Sequence, residues 1–296
     1  SAVHVMRDHV VLILALNAAS ITDLGENPVL VRVEQRHVVE PDVLLDRMVL
    51  DAGAVAGASV DAEYLDLSQA VVALGGPVTR EGGLRFTDGT IRRSLVGIRV
   101  NVEAEVAVER STFTAITREG IRAEGGGLRV INSEFSRNGR EGISLGDCSL
   151  EAIGTRFEQN GQLSTVGEEP SSGVSAEGGA GRTIELWNCI ATRNTLHGLE
   201  FDNWLGRVEI HGSELSANQS QGLVVDGVEL LVLEDSRIER NLGGGATVEN
   251  APVEIWSTTF ADNLGTGLIL QGGASAVVDY LVLECPERDI KKELWF

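Results

Sequence analysis

Three carboxylate–ring pairs recur two residues apart in the chain: Glu185 with Trp187, Glu209 with His211, and Glu254 with Trp256. A carboxylate beside an indole is a sugar-binding combination. The acid accepts sugar hydroxyls, and the apolar C–H face of the ring rests on the indole. Were these glutamates stacked about 5 Å apart, the same residues would have the spacing of retaining glycoside hydrolysis. The bland alternative is a solvated face with scattered aromatics. A second set is purely acidic: Glu177, Asp202, Asp226 and Glu249, preceded by Glu124 and followed by Gln271. Carboxylates gathered in succession repel and raise one another's pKa. A hard cation such as Ca²⁺ would relieve that repulsion; otherwise each acid caps its own turn and points into water. No EF-hand-like acidic loop is present, so calcium is admitted by the pattern and not required by it. Gly243–Gly245 has no following helix pattern or lysine and is no phosphate loop. The five histidines do not fall into a Ser-His-Asp arrangement.

Both sets acquire meaning only from the elements that carry them, and those elements repeat. The pattern is apolar-x-apolar, then Ser or Thr, then Phe or another apolar residue, then Asn, then Gly-apolar-x-apolar. Its clearest copy is Leu128, Val130, Ser133, Phe135, Asn138, Gly142, Ile143 and Leu145. Marker glycines fall at Gly97, Gly120, Gly142, Gly173, Gly198, Gly222, Gly245 and Gly267, at intervals of 22 to 25 residues with one interval of 31. Each copy holds short stretches of period-2 alternation, too short for helices. A leucine-rich repeat of similar length would need its own consensus and a helical segment, and neither is present. A strand of three to five residues cannot bury its face alone. Stacking the next copy about 4.8 Å away pairs every strand in parallel and closes a continuous core.

The repeat then sorts its own columns. Phe113, Phe135, Phe157, Leu215, Ile238 and Phe260 are expected to stack inside. Ser111, Ser133, Thr155, Cys189, Ser213, Ser236 and Thr258 form a corner of small residues. Asn138, Asn160, Asn194, Asn218, Asn241 and Asn263 form an amide ladder bonding from copy to copy. The glycines supply either a positive φ or a crowded corner. The carboxylate–ring pairs are expected on one outer face in neighbouring coils, and the acidic set follows the Gly-apolar-x-apolar strand.

These residues resemble the parallel β-helix repeat of the pectin-lyase-like superfold. The resemblance covers about residues 84–285 and implies an all-β, right-handed parallel β-helix of some 9–11 coils. Residues 1–83 are expected to form an N-terminal cap with irregular first coils, in which Val29–Val33 and Val43–Leu50 read as strands. Residues 286–296 are expected to cap the other end with Ile290 and Leu294 or Trp295 turned inward. The superfold hosts lyases, hydrolases, epimerases, adhesins and spikes, so it leaves chemistry open. The polygalacturonase-like Asn-Thr-Asp, Asp-Asp and Gly-His-Gly motifs are absent here. The epimerase-like Tyr-Gly-Phe-Asp-Pro-His motif and the pectate-lyase-like Trp-Ile-Asp-His signature are absent as well.

Composition narrows the partners. Hydrophobic residues make up 43% and aromatics 4%, so aliphatic side chains must fill the core. A formal charge of −20 repels nucleic acid, anionic lipid and polyanionic glycans. No apolar run approaches the length of a membrane-spanning helix. Val10–Leu16 faintly resembles the apolar stretch of a signal peptide. However, Asp8 stands where basic residues belong, and a buried first strand or cap is expected instead. Three widely spaced cysteines, Cys148, Cys189 and Cys285, make no disulfide framework. The expectation is an exported β-helix module that presents a face to carbohydrate or to a protein surface, without required cofactors. Its rivals are a polysaccharide lyase or glycosidase using Glu185, Glu209 or Glu254, and a structural spacer of an envelope or appendage protein. One copy is interrupted by twelve residues between Asn160 and Gly173 where three are usual; such loops often line a groove.

Overall fold

The computed structural model describes residues 86–92, 96–100, 105–162 and 170–284 in full, and only the course of the strands N-terminal to them. The cap expected at residues 286–296 and the middle of the long insertion lie outside the described residues, as do the side chains of residues 1–85.

The chain is a parallel β-helix with three strand columns. The first face stacks five-residue strands: Glu105–Glu109, Gly127–Ile131, Ser149–Ile153, Thr183–Trp187, Arg207–His211 and Leu230–Glu234. The second face stacks three-residue strands: Thr112–Thr114, Glu134–Ser136, Arg156–Glu158, Ile190–Thr192, Glu214–Ser216 and Arg237–Glu239. In the last described coils, Pro252–Ala261 and Ser275–Glu284 run through both faces as single strands. The third face is a 10-stranded sheet that runs in space from Val49–Asp51 to Leu268–Gln271. Among the described strands, antiparallel pairing occurs in Val3–Val5 with Leu12–Leu14 and Ala19–Thr22 with Leu30–Glu34. Parallel stacking already begins at Leu30–Glu34, which pairs with Ser59–Glu63, upstream of the regular repeat.

Alternation decides what is buried. In Gly127–Ile131, Leu128 and Val130 face the core while Arg129 stays exposed, because successive side chains point to opposite sides of a strand. Phe113, Phe135 and Phe157 sit inside, one above another, with ring centroids 4.7 and 5.4 Å apart. The column continues through Ala191, Leu215, Ile238 and Phe260.

Two polar columns hold the corners. Asn160, Asn194 and Asn218 each direct their side-chain Nδ2 to the Oδ1 of the asparagine one coil on, at 3.1, 3.0 and 2.9 Å. The same oxygens accept the main-chain N–H of Asn160, Asn194 and Asn218. At the other corner, main-chain N–H groups of Ser111, Cys189 and Ser213 donate to the hydroxyls of Ser133, Ser213 and Ser236. Both columns satisfy buried turn groups that the strand ladders cannot reach.

Crowding, not a positive φ, explains the marker glycines. A Cβ on Gly120 would lie 2.6 Å from the carbonyl oxygen of Gly142 and 2.8 Å from the Phe135 ring. The left-handed positions fall elsewhere, on residues such as Asn132, Arg137, Asn188 and Arg193.

Candidate functional site

The first face places the carboxylate–ring pairs in register, with one correction. Glu185 stacks on Glu209 and Trp187 on His211, but the next coil brings Val232 and Glu234 before Glu254 and Trp256. Glu254 and Trp256 are therefore not neighbours of Glu209 and His211. What the fold does assemble is a compact group. Trp187 lies flat on His211, with centroids 3.9 Å apart and planes 10° off parallel. Trp187 is 37% exposed, and its Nε1 donates to Glu185 Oε2 at 3.4 Å. His211 sits below it between Glu234 Oε2 at Nδ1, 2.8 Å, and Glu209 Oε2 at Nε2, 3.2 Å. Arg207 Nε pairs with Glu209 Oε1 at 2.6 Å. Trp204, the other tryptophan near this region, does not reach it. It ends a third-face strand, fully buried over Gly179.

A concavity lies on the third face. Its strands align Arg122, Ser144, Ser175 and Glu200 in one outward row, and Glu124, Gly146, Glu177 and Asp202 in the next. The middle coils carry small residues, Ser144, Gly146 and Ser175, between long charged ones at either end. The absent side-chain volume leaves a groove of about 620 Å³. One wall is the corner that precedes the strands, with Arg140, Glu141, Pro170, Ser171 and Leu196. Pro170 and Ser171 belong to the C-terminal end of the long insertion.

The groups in the groove are individually held. Arg122 Nη2 pairs with Glu124 Oε1 at 2.7 Å, and Asn203 Nδ2 donates to Asp202 Oδ1 at 2.9 Å. Ser172, completely buried, donates its hydroxyl to Glu200 Oε2 at 2.7 Å and accepts the His197 main-chain N–H at 3.4 Å. Burial pushes the Glu141 carboxyl above the usual glutamate range, and the charge of Glu119 adds to the effect; hydrogen bonds from its own N–H and from Ser171 oppose it. Glu119 is itself buried beside Arg118 Nη2 at 3.4 Å and Arg140 Nη1 at 3.6 Å. His197 accepts the Gln221 N–H at Nδ1, 3.2 Å. Burial lowers its pKa, against the pull of Glu200. With Nδ1 accepting, the neutral ring carries its proton on Nε2.

Within the acidic set Glu177 pairs with Asp202 and Asp226 with Glu249, while pairing between the two middle coils ends at Phe201 and Val225; Glu177 and Asp202 line the groove. Asp226 and Glu249 continue the row beyond it, accepting the side-chain amides of Asn250 and Gln271, each at 2.9 Å. Among the described residues, no three His, Cys, Asp or Glu side chains converge as a metal site requires.

Spacing alone found Glu124, Glu177 and Asp202 but missed Glu141, Glu200 and Ser172. The available signal was the run of small outward residues at Ser144, Gly146 and Ser175, adjoining the long insertion. Among the described residues, no helix is long and apolar enough to cross a membrane.

No curated protein matches the chain in sequence. Among solved structures, a mutant of the periplasmic alginate epimerase AlgG is similar at 12% identity and a TM-score of 0.51, over 80% of this chain and 73% of that one. The A-module of the Azotobacter vinelandii mannuronan C-5 epimerase AlgE4 is similar at 12% identity and a TM-score of 0.44, over 82% and 89%. At such identity the likeness to AlgG is one of fold. A family model described as a right handed beta helix region matches residues 94–255 and 164–280. With its parallel stack of coils and that match along more than half its length, the chain belongs to the right-handed β-helix family.

Proposed function

We propose that the chain is an exported carbohydrate-recognition module whose ligand lies in the third-face groove. The observation that carries this is the groove itself: a depression of about 620 Å³ walled by acids and hydroxyls, in which Glu200 and Asp202 are already held by hydrogen bonds from Ser172 and Asn203. Pre-fixed polar groups lose little entropy on binding and suit the many hydroxyls of a sugar. Its lining acids, Glu124, Glu141, Glu177, Glu200 and Asp202, outnumber Arg122 and Arg140. A neutral or amino-substituted glycan therefore fits better than a polyanion. The Trp187–His211 stack with Glu185 and Glu209 is an accessory sugar platform on the first face, and Glu254 with Trp256 is a separate patch farther along it.

A second reading is favoured by one observation. Burial keeps Glu141 protonated above the ordinary range inside an otherwise acidic groove, as a proton donor to a glycosidic oxygen requires. On this reading the module is a carbohydrate-active enzyme.

One experiment addresses both. A panel of neutral, amino-substituted and acidic polysaccharides is tested for retardation of the protein in affinity electrophoresis. The same panel is assayed for new reducing ends and unsaturated products, with calcium and with chelator. Recognition predicts retardation by a neutral or amino-substituted glycan, lost in Glu200→Gln, with no product. New ends lost in Glu141→Gln would make the enzyme reading the correct one. Retardation by nothing in the panel, or binding unchanged in Glu200→Gln, would overturn the groove assignment.

A further inference from the structure

The residue that follows each short second-face strand has a left-handed backbone, at Ala115, Arg137, Gln159, Arg193, Ala217 and Arg240, with φ between 53° and 57°. Main-chain bonds from Gln159 to Thr192, Arg193 to Ser216 and Ala217 to Glu239 show that these positions stack one per coil. Arg137, Gln159, Arg193 and Arg240 are long, Ala115 and Ala217 short, and Ala217 has an arginine on both sides. At Ala217 the row is interrupted, and the missing side chain leaves a pocket of about 190 Å³ between Arg193 on one side and Arg240 on the other. Arg156 approaches from a third direction. Thr192 and Ser216 form the floor, their hydroxyls bonded at 3.2 Å.

The charge of this pocket opposes that of the chain. Three arginines line it against one acid, Glu214, in a protein of formal charge −20. Glu214 Oε1 accepts the Ser216 hydroxyl at 2.6 Å. The neighbouring acids do not neutralise the arginines one for one. Glu158 is shared by Arg156 and Arg193, and Glu239 by Arg237 and Arg240. Each trio taken alone has one more arginine than glutamate, while Glu214 lies against the pocket and Glu284 acts on Arg237 from outside it. A guanidinium also has five N–H donors, more than one carboxylate contact uses.

We propose that the Ala217 gap is an anion site for a tetrahedral oxyanion, a phosphate or sulfate, held between Arg193 and Arg240 with Arg156 as a third donor. Guanidinium groups arriving from three directions match an anion with oxygens on all sides. A carboxylate presents two oxygens in one plane and engages one fork well. This site is on a different face from the proposed sugar groove and does not depend on it.

The test is calorimetric titration of the full chain with sodium sulfate and with sodium phosphate at low ionic strength, with acetate and chloride as controls. The expected result is saturable one-to-one binding of sulfate or phosphate, with acetate and chloride at least tenfold weaker. Ala217→Gln fills the gap with the side chain already tolerated at Gln159, and Arg240→Gln removes one clamp. Each should weaken binding at least tenfold while the melting temperature stays within about 2 °C of the parent. Sulfated and phosphorylated monosaccharides then separate the sources: tighter binding than the inorganic anion identifies a sugar ester, and weaker binding a free anion. Absence of saturable binding, equal binding of acetate, or unchanged binding in both variants would overturn the site.

Discussion

Ser172 and Glu200, on neighbouring coils, are joined by a 2.7 Å hydrogen bond at the rim of the third-face groove. The serine is fully buried, so its hydroxyl is committed to this carboxylate and to the His197 N–H. Ser172→Ala should release Glu200 without opening a cavity larger than one oxygen. We expect about a fivefold loss of affinity for the recognised glycan, the scale of one hydrogen bond of about 1 kcal/mol. Affinity electrophoresis of the variant, beside circular dichroism to show an unchanged fold, checks it.

Glu141 ties stability to pH. Its folded pKa is raised by burial, so its contribution is complete below the ordinary glutamate value and declines as pH rises through the folded value. Gln at this position has no charge to desolvate. Glu141→Gln should therefore melt higher than the parent at pH 7–8, by about 2 °C, and match it near pH 4. Thermal melts at three pH values decide this; a gap that widens on acidification would contradict the assigned direction.

The amide column is the most sensitive point of the frame. Asn218 is fully buried; its side chain accepts from Asn194 and donates to Asn241 and to the Ala191 carbonyl. Asn218→Ala would strand donors and acceptors on three coils at once. The expected cost is on the order of 3 kcal/mol, read from the shift of the urea midpoint. Gln271→Ala, on the solvent side, should cost less than about 0.5 kcal/mol in the same assay.

Trp187→Ala separates the first face from the third. The indole is partly exposed and its main contact is the flat stack on His211. Its loss should lower stability by about 1 kcal/mol. If the stack is an accessory sugar platform, binding of long glycans should weaken while that of short ones confined to the groove is unchanged. Length-resolved oligosaccharide titrations read this directly.

The strand periodicity, the phenylalanine column, the Ser/Thr corner and the asparagine positions were all legible in the sequence. Each is a local rule repeated once per coil: alternation sets which side chain faces inward, and stacking places equivalent residues together. The candidate site was legible only in part. Trp187 and His211 could be assigned to one face from the repeat, but not their parallel stack or the two carboxylates that bracket the histidine. The intervening Val232 and Glu234, which part Glu254 and Trp256 from that group, were visible in the alignment of copies and still gave no measure of distance. The groove depends on what is missing at Ser144, Gly146 and Ser175, and on the corner of Pro170 and Ser171 beside them. The burial of Glu141 and Ser172 depends on corners brought together from different coils. Repetition makes a solenoid's frame a property of its sequence. Concavity, desolvation and the partnering of individual charges arise between coils, where only the assembled tertiary structure determines them.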